Sequence, residues 1–164
     1  MKQRLKAWGD TKVLPIAVTF VFNEDGDLLL LQRHTKDLGG GQWGNPGGRI
    51  DDNESPASAA RREFFEETGV NPGKIKALGE HKLYLPHGIV HMSSFHAVIP
   101  KNSSIKIDPF EHHAYAWFSL ENLLNEENII WGTPSVLRDF GLFKEFDSDP
   151  TLADGSSVEL IKKL

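Results

Sequence analysis

The stretch from Gly48 to Val70, GRIDDNESPASAARREFFEETGV, leaves this chain little conformational choice. Ser55 is a side chain that accepts from the first exposed amides of a helix, and Pro56 has its φ preset for the first helical position. Gly69 supplies a left-handed stop. The alanines and glutamates between these ends are good helix formers, so the spacing predicts a helix over 56–68. At about 100° per residue, with Ala57 at zero, Ala60, Phe64 and Thr68 fall near roughly 300°, 340° and 20°. With Ala57 they make one apolar stripe to lay on a core. Glu66, Glu63 and Glu67 follow near roughly 180°, 240° and 280°, and Arg62 sits just beyond them near roughly 140°.

Three carboxylates on neighbouring arcs repel by about 0.2–0.5 kcal/mol per pair. Arg62 lies at i, i+4 from Glu66, offsets part of that repulsion and can hold one carboxylate in place. The remaining negative charge suits a hard divalent cation. Mg²⁺ prefers oxygen ligands and usually keeps waters and substrate phosphates in its shell. On the glutamates alone a solvated acidic face is the simpler reading, because charge runs are usually surface.

The wider spacing decides between the two. Gly48, five residues, Glu54, seven residues, Arg62-Glu63-Phe64, one residue, Glu66-Glu67, one residue, Gly69-Val70 resembles the signature of the Nudix hydrolases. Phe64 is bulkier than the aliphatic residue usual at its position. Upstream, Trp43 followed by Pro46-Gly47-Gly48 resembles the Trp-x-x-Pro-Gly-Gly segment ahead of many Nudix signatures. Asn45 stands there where an aromatic or aliphatic residue is common.

The resemblance implies a Mg²⁺- or Mn²⁺-dependent hydrolase that cleaves a phosphoanhydride in a nucleoside diphosphate linked to some group X. It places metal binding on Glu63, Glu66 and Glu67, with a Gly47 or Gly48 carbonyl as a backbone ligand. Arg62 then orients a carboxylate. Glu54, near the helix start where the macrodipole favours a carboxylate, supports the metal ligands from behind. In some members the base is a glutamate of the signature and in others an acidic residue on a later loop. Glu111 is the loop candidate, since Glu111-His112-His113-Ala114-Tyr115-Ala116-Trp117 resembles the family's acidic residue six positions before a tryptophan.

For the substrate, Arg33, Arg49 and Lys82 are candidate phosphate partners, and Trp43, Tyr84 and Trp131 candidate base contacts. Phe95 reads as core. His87 and His91 stand at i, i+4 in a segment that reads as strand, where that spacing does not chelate. With His96, His112 and His113 they read as surface or loop histidines, a phosphate contact by His112 or His113 being the lesser option. The Trp-x-x-Pro-Gly-Gly segment leans toward (deoxy)nucleoside triphosphate cleavage to a monophosphate and pyrophosphate. The Glu111 segment also resembles dinucleoside-polyphosphate and sugar-nucleotide hydrolases. A non-catalytic nucleotide-sensing module of the same fold would lack a signature carboxylate, and none is missing.

Composition sets the remaining bounds. At 164 residues with 39% hydrophobic and 25% charged side chains, the chain suits one soluble globular domain over 1–164. A formal net charge of −5 without a basic stripe does not point to long nucleic acid. No apolar run approaches a membrane span or a signal peptide. The absence of cysteine excludes disulfides and thiolate metal sites and fits a cytoplasmic setting. A monomer or a homodimer is equally compatible.

Residues 1–12 read as a lead-in. Strands are expected over 14–22 and 28–33, joined by a turn containing Asp25-Gly26, and over 75–85, 89–99 and 114–118. Residues 34–46 read as a loop. Ser119 caps a brief helix over 120–124, and Thr133-Pro134 starts a last one with a stripe of Val136, Leu137, Phe140 and Phe143. Residues 147–164 read as a C-terminal extension without a firm assignment. Strands on both sides of an amphipathic helix predict an α/β fold, an α/β/α sandwich with a mixed sheet. By resemblance this is the Nudix fold.

Overall fold

The computed structural model describes residues 13–34, 40–86, 88–130, 132–145, 149, 152 and 155–164. Trp131 and His87, together with the lead-in, lie outside the described residues. One mixed sheet organises the rest. Strand β1 (Val13–Phe22) runs parallel to β6 (Gly88–Val98), and among the described residues every other pairing between two strands is antiparallel. Beyond β6 come β5 (Lys76–Leu85) and β8 (Ser157–Lys163). On the other side lies β2 (Leu28–Arg33), with β7 (His112–Phe118) along its far edge.

Asn23 turns the chain between β1 and β2, its side-chain oxygen accepting from the amides of Asp25 at 2.9 Å and Asp27 at 3.0 Å. The expected hairpin pairs only at Phe22 with Leu28, and the two strands then part. Two short strands fill the gap. β3 (Trp43–Gly44) pairs with β2, and β4 (Gly47–Arg49) pairs with Ile16 to Val18 of β1. Residues 34–46 were expected to be loop throughout. Strands of two and three residues built from Trp and Gly carry no alternation that a sequence could display.

The two faces of β1 serve two cores. Val18, Phe20 and Phe22 pack with Leu28, Leu30, Leu83 and Met92 under Val136, Leu137 and Phe140 of the C-terminal helix region. Ala17 and Val21 face the other way, toward Phe64, Ala59 and Ala60 of α1 (Pro56–Thr68). Helices therefore cover both faces, the expected α/β arrangement. Phe64 is fully buried, and truncating such a ring costs about 3–5 kcal/mol.

The remaining helices are α2 (Leu120–Leu123), capped by Ser119, and α3 (Thr133–Asp139). In α3 the N-cap is Gly132, with φ 82°, and Thr133 already lies inside the helix. The stripe ends earlier than predicted. Phe140 closes the helix and Phe143 packs on the core from beyond it. The C-terminal segment, unassigned from sequence, is a strand on the sheet edge because β5 presents an open row of backbone groups to it. Among the described residues no helix is long and apolar enough to cross a membrane.

Candidate active site

Helix α1 begins and ends where its sequence dictates. Ser55 holds φ −74° and ψ 150°, and its hydroxyl accepts from the Ser58 amide at 3.2 Å. Gly69 adopts φ 70°, and its amide donates to the Phe65 carbonyl at 2.8 Å. The buried face differs from the predicted stripe. Ala57 is exposed, whereas Ala59, Ala60, Phe64, Glu67 and Thr68 are buried. The helix is rolled toward its acidic arc, because the small Ala59 and Ala60 pack closely under Ala17 and Phe95.

That roll gives the three glutamates different surroundings. Glu67 is 2% exposed, and its Oε1 accepts from the Gly47 amide at 3.1 Å. Its Oε2 lies 3.4 Å from Nε2 of His112, itself buried at the start of β7. The Glu63 side chain is 16% exposed and that of Glu66 is 56% exposed. Burial pushes the Glu63 carboxyl above its ordinary value, against the pull of Arg62, and the charges of Glu66 and Glu111 push the same way. Glu111, in the turn before β7, is thus brought within electrostatic reach of α1.

Arg62 ties this face together. Its Nε and Nη2 grip both oxygens of Glu54 at 2.8 and 3.0 Å. Nη1 donates to Glu63 at 2.9 Å and reaches Glu66 at 3.4 Å, while Nη2 also donates to the Arg49 carbonyl at 3.0 Å. A planar guanidinium with five fixed donors can serve four acceptors at once, as an ammonium cannot. The i, i+4 pair with Glu66, expected to hold one carboxylate in place, is the longest of these bonds. The bidentate Glu54 contact dominates, raising the Arg62 pKa and lowering that of Glu54.

The two glycines make close approach possible. A Cβ on Gly47 would stand 2.4 Å from the Ala17 carbonyl oxygen, and one on Gly48 2.5 Å from the Glu63 carboxyl carbon. The side chain missing from Gly48 therefore leaves the space in which the Glu63 carboxylate sits. Among the described residues no three acidic or histidine side chains converge as a ready-made metal cage. An all-oxygen set with one buried, one half-buried and one exposed carboxylate fits Mg²⁺ or Mn²⁺. Such ions bind through few protein groups and take the remaining ligands from water and phosphate.

A cavity of about 180 Å³ opens where β1 and β2 part. Ile16, Leu83, Met92 and Ile130 contribute apolar wall, and Gly47, Gly48, Glu67 and His112 connect it to α1. Arg33 and Arg49, two expected phosphate partners, line it. Lys82 and Tyr84 do not. Their register on β5 turns them away from Leu83, and the Tyr84 hydroxyl donates instead to Glu159 at 2.6 Å. Trp43 is an anchor rather than a wall of the cavity. Its amide donates to Asn128 at 2.7 Å, its carbonyl accepts from Ile130 at 2.8 Å, and its ring meets Phe118 edge-on.

The histidines divide. His113 is exposed and stacks on His34 with ring centres 4.3 Å apart, and His91 and His96 are partly exposed. His112 departs from the surface reading, and only its place six residues before Phe118 on an alternating strand hinted at an inward side chain. Sequence reasoning also passed over His81. It is fully buried, with Nε2 2.9 Å from Asp139, and burial lowers its pKa.

Comparison with known proteins bears on the family and the fold. The family model described as NUDIX domain matches residues 12–140, so β8 lies outside the matched region. The CTP pyrophosphohydrolase of Escherichia coli (strain K12) is 29% identical over 107 residues, covering 65% of this chain and 77% of its own. The 8-oxo-dGTP diphosphatase of Proteus vulgaris is 39% identical over 62 residues, 38% of this chain and 55% of that protein. Among solved structures, a MutT protein from Methanosarcina mazei Go1 superposes with a TM-score of 0.67 at 28% identity, covering 80% of this chain and 91% of its own. With the glycine bend, the arginine tie and the acidic helix face in place, the chain belongs to the Nudix family and is a hydrolase acting on phosphoanhydrides.

Proposed function

We propose that the substrate is a nucleoside triphosphate, cleaved by water to the nucleoside monophosphate and pyrophosphate in a Mg²⁺- or Mn²⁺-dependent reaction. The observation that carries this reading is the junction of an apolar cavity with the acidic face of α1 through Gly47, Gly48 and Glu67. A nucleoside fits the apolar part, and its phosphates then run out toward the carboxylates. The two relatives above, whose names specify CTP and 8-oxo-dGTP, favour a triphosphate over the sugar-nucleotide and dinucleoside-polyphosphate alternatives.

When bound, a divalent ion neutralises phosphate charge and lowers the pKa of the attacking water. The protein's own groups do the rest. Glu63, Glu66 and Glu67 supply ion-binding oxygens, and Arg62, braced by Glu54, keeps Glu63 turned toward Gly48. Arg33 and Arg49 offset phosphate charge in an otherwise acidic chain. Glu111 is the group to take the proton of the attacking water.

The test is a panel of nucleoside triphosphates, ADP-ribose, sugar nucleotides and dinucleoside polyphosphates, with Mg²⁺ or Mn²⁺ and products identified, run on wild type and Glu67→Gln. Wild type should release pyrophosphate from triphosphates, and the variant should lose turnover by roughly two to three orders of magnitude while keeping its melting temperature. Hydrolysis confined to the other substrate classes would refute the triphosphate assignment. Near-normal turnover in Glu67→Gln would remove the helix from the chemistry.

A further inference from the structure

His112 reaches the acidic helix through an irregularity in its strand. Gln32 of β2 pairs with Ala114 and Arg33 with His112, so β7 carries one extra residue, His113, between those partners. Strict alternation would place His112 on the side of Phe118, which packs on the core under α3. The extra residue breaks that alternation, and a bulge of this kind re-aims a side chain. His112 is 5% exposed and its Nε2 lies 3.4 Å from Oε2 of Glu67 on α1, while His113 stays at the surface. His112 also belongs to a tightly bonded turn. Asp108 accepts from the amides of Phe110, Glu111 and His112 at 2.9, 3.1 and 2.9 Å, and the Glu111 carbonyl accepts from the His34 amide at 2.9 Å. Whatever fixes His112 therefore fixes the backbone of Glu111 as well.

We propose that His112 is a positioning residue for the hydrolysis: its Nε2–H donates to Glu67 Oε2 and ties the ion-binding carboxylate of α1 to the turn that carries Glu111. Glu67 is then held from two sides, by the Gly47 amide at 3.1 Å on Oε1 and by the imidazole on Oε2. A carboxylate buried this deeply gains more from each donor than an exposed one, because little water competes. Groups that orient a metal's ligands from behind set its affinity, and losing one costs about 10–100-fold in binding. Arg62 does this for Glu63 and reaches Glu66. His112 does it for Glu67. An apolar side chain at position 112 would fill the same space without holding the carboxylate.

This inference rests on the reading that Glu67 binds the ion and Glu111 takes the proton, so ion binding is measured apart from turnover. Mn²⁺ is titrated into the full chain without nucleotide, for wild type, Glu67→Gln, His112→Phe and His112→Gln, with a melt of each in metal-free buffer. His112→Phe keeps a ring but has no donor, and it should bind Mn²⁺ about 10–100-fold more weakly. At saturating Mn²⁺ its turnover of the best substrate should still fall, on the order of 10²-fold for a displacement of Glu111 by about 1 Å. His112→Gln, whose amide N–H stands close to the place of Nε2, should recover most of both, which packing alone would not give. If His112→Phe does not fold, His112→Asn, whose amide is a methylene too short to reach Glu67, is read in its place. Wild-type Mn²⁺ affinity in His112→Phe beside weakened binding in Glu67→Gln would overturn the proposal alone. So would equal losses in His112→Phe and His112→Gln, or full turnover of His112→Phe at saturating Mn²⁺. Wild-type affinity in Glu67→Gln would sink the ion-binding role of Glu67 itself, and this inference with it.

Discussion

Adjacent glycines in this site should fail in opposite ways when a methyl group is added. In Gly48→Ala the new Cβ would stand 2.5 Å from the Glu63 carboxyl carbon and 2.6 Å from each of its oxygens, against 3.4–4 Å for ordinary contact. The obstruction is the far end of a flexible side chain, which can swing away by about 1 Å at little expense to the fold. A 1 Å misplacement of a catalytic group costs on the order of 10²-fold in rate. In Gly47→Ala the obstruction is backbone, 2.4 Å to the Ala17 oxygen and 2.8 Å to the Val18 Cα. Relief there means breaking the β1–β4 pairing, and overpacking of this kind costs about 1–3 kcal/mol or more. Steady-state hydrolysis and thermal melts on both variants separate the cases. Gly48→Ala should melt near wild type with turnover down about a hundredfold, and Gly47→Ala should melt several degrees lower. Wild-type turnover in Gly48→Ala would refute the claim that the glycine exists to seat Glu63.

Two further outcomes follow from the electrostatics. Glu63 is held above the ordinary glutamate value of 4.5 by burial, so its ionised form costs native stability at neutral and higher pH, and that cost fades as pH falls through the raised pKa toward 4.5. Glu63→Gln should therefore melt higher than wild type at pH 8, with the gap closed near pH 4.5, while turnover collapses; a lower melting temperature at pH 8 would contradict the burial argument. Glu111→Ala should slow hydrolysis by roughly 10²-fold or more yet leave Mn²⁺ binding at the helix intact by titration, and unchanged kinetics would take Glu111 out of the mechanism.

The acidic helix was legible down to its capping residues because its causes are local. Ser55, Pro56 and Gly69 act on backbone within a few residues of themselves, and hydrogen bonds from i to i−4 need no distant partner. The spacing of glutamates, arginine and glycine likewise fixed which chemistry the chain could carry, and strands rich in Val, Ile and Leu declared themselves by composition. Periodicity gives angles about a helix axis but not the direction of the core. That direction depended on Ala59 and Ala60 meeting Ala17 and Phe95, and it made Glu67 a buried residue and Glu66 an exposed one. Contacts between distant parts of the chain made the rest: Gly47 to Glu67, Glu67 to His112, β3 and β4 in the gap between β1 and β2, and β8 on the edge of β5. By itself the sequence determined the helix and the charged side chains it carries. Only the tertiary structure decided which carboxylate is buried, where the cavity opens and what lines it, because burial is a property of the surfaces that meet and not of the residues taken one by one.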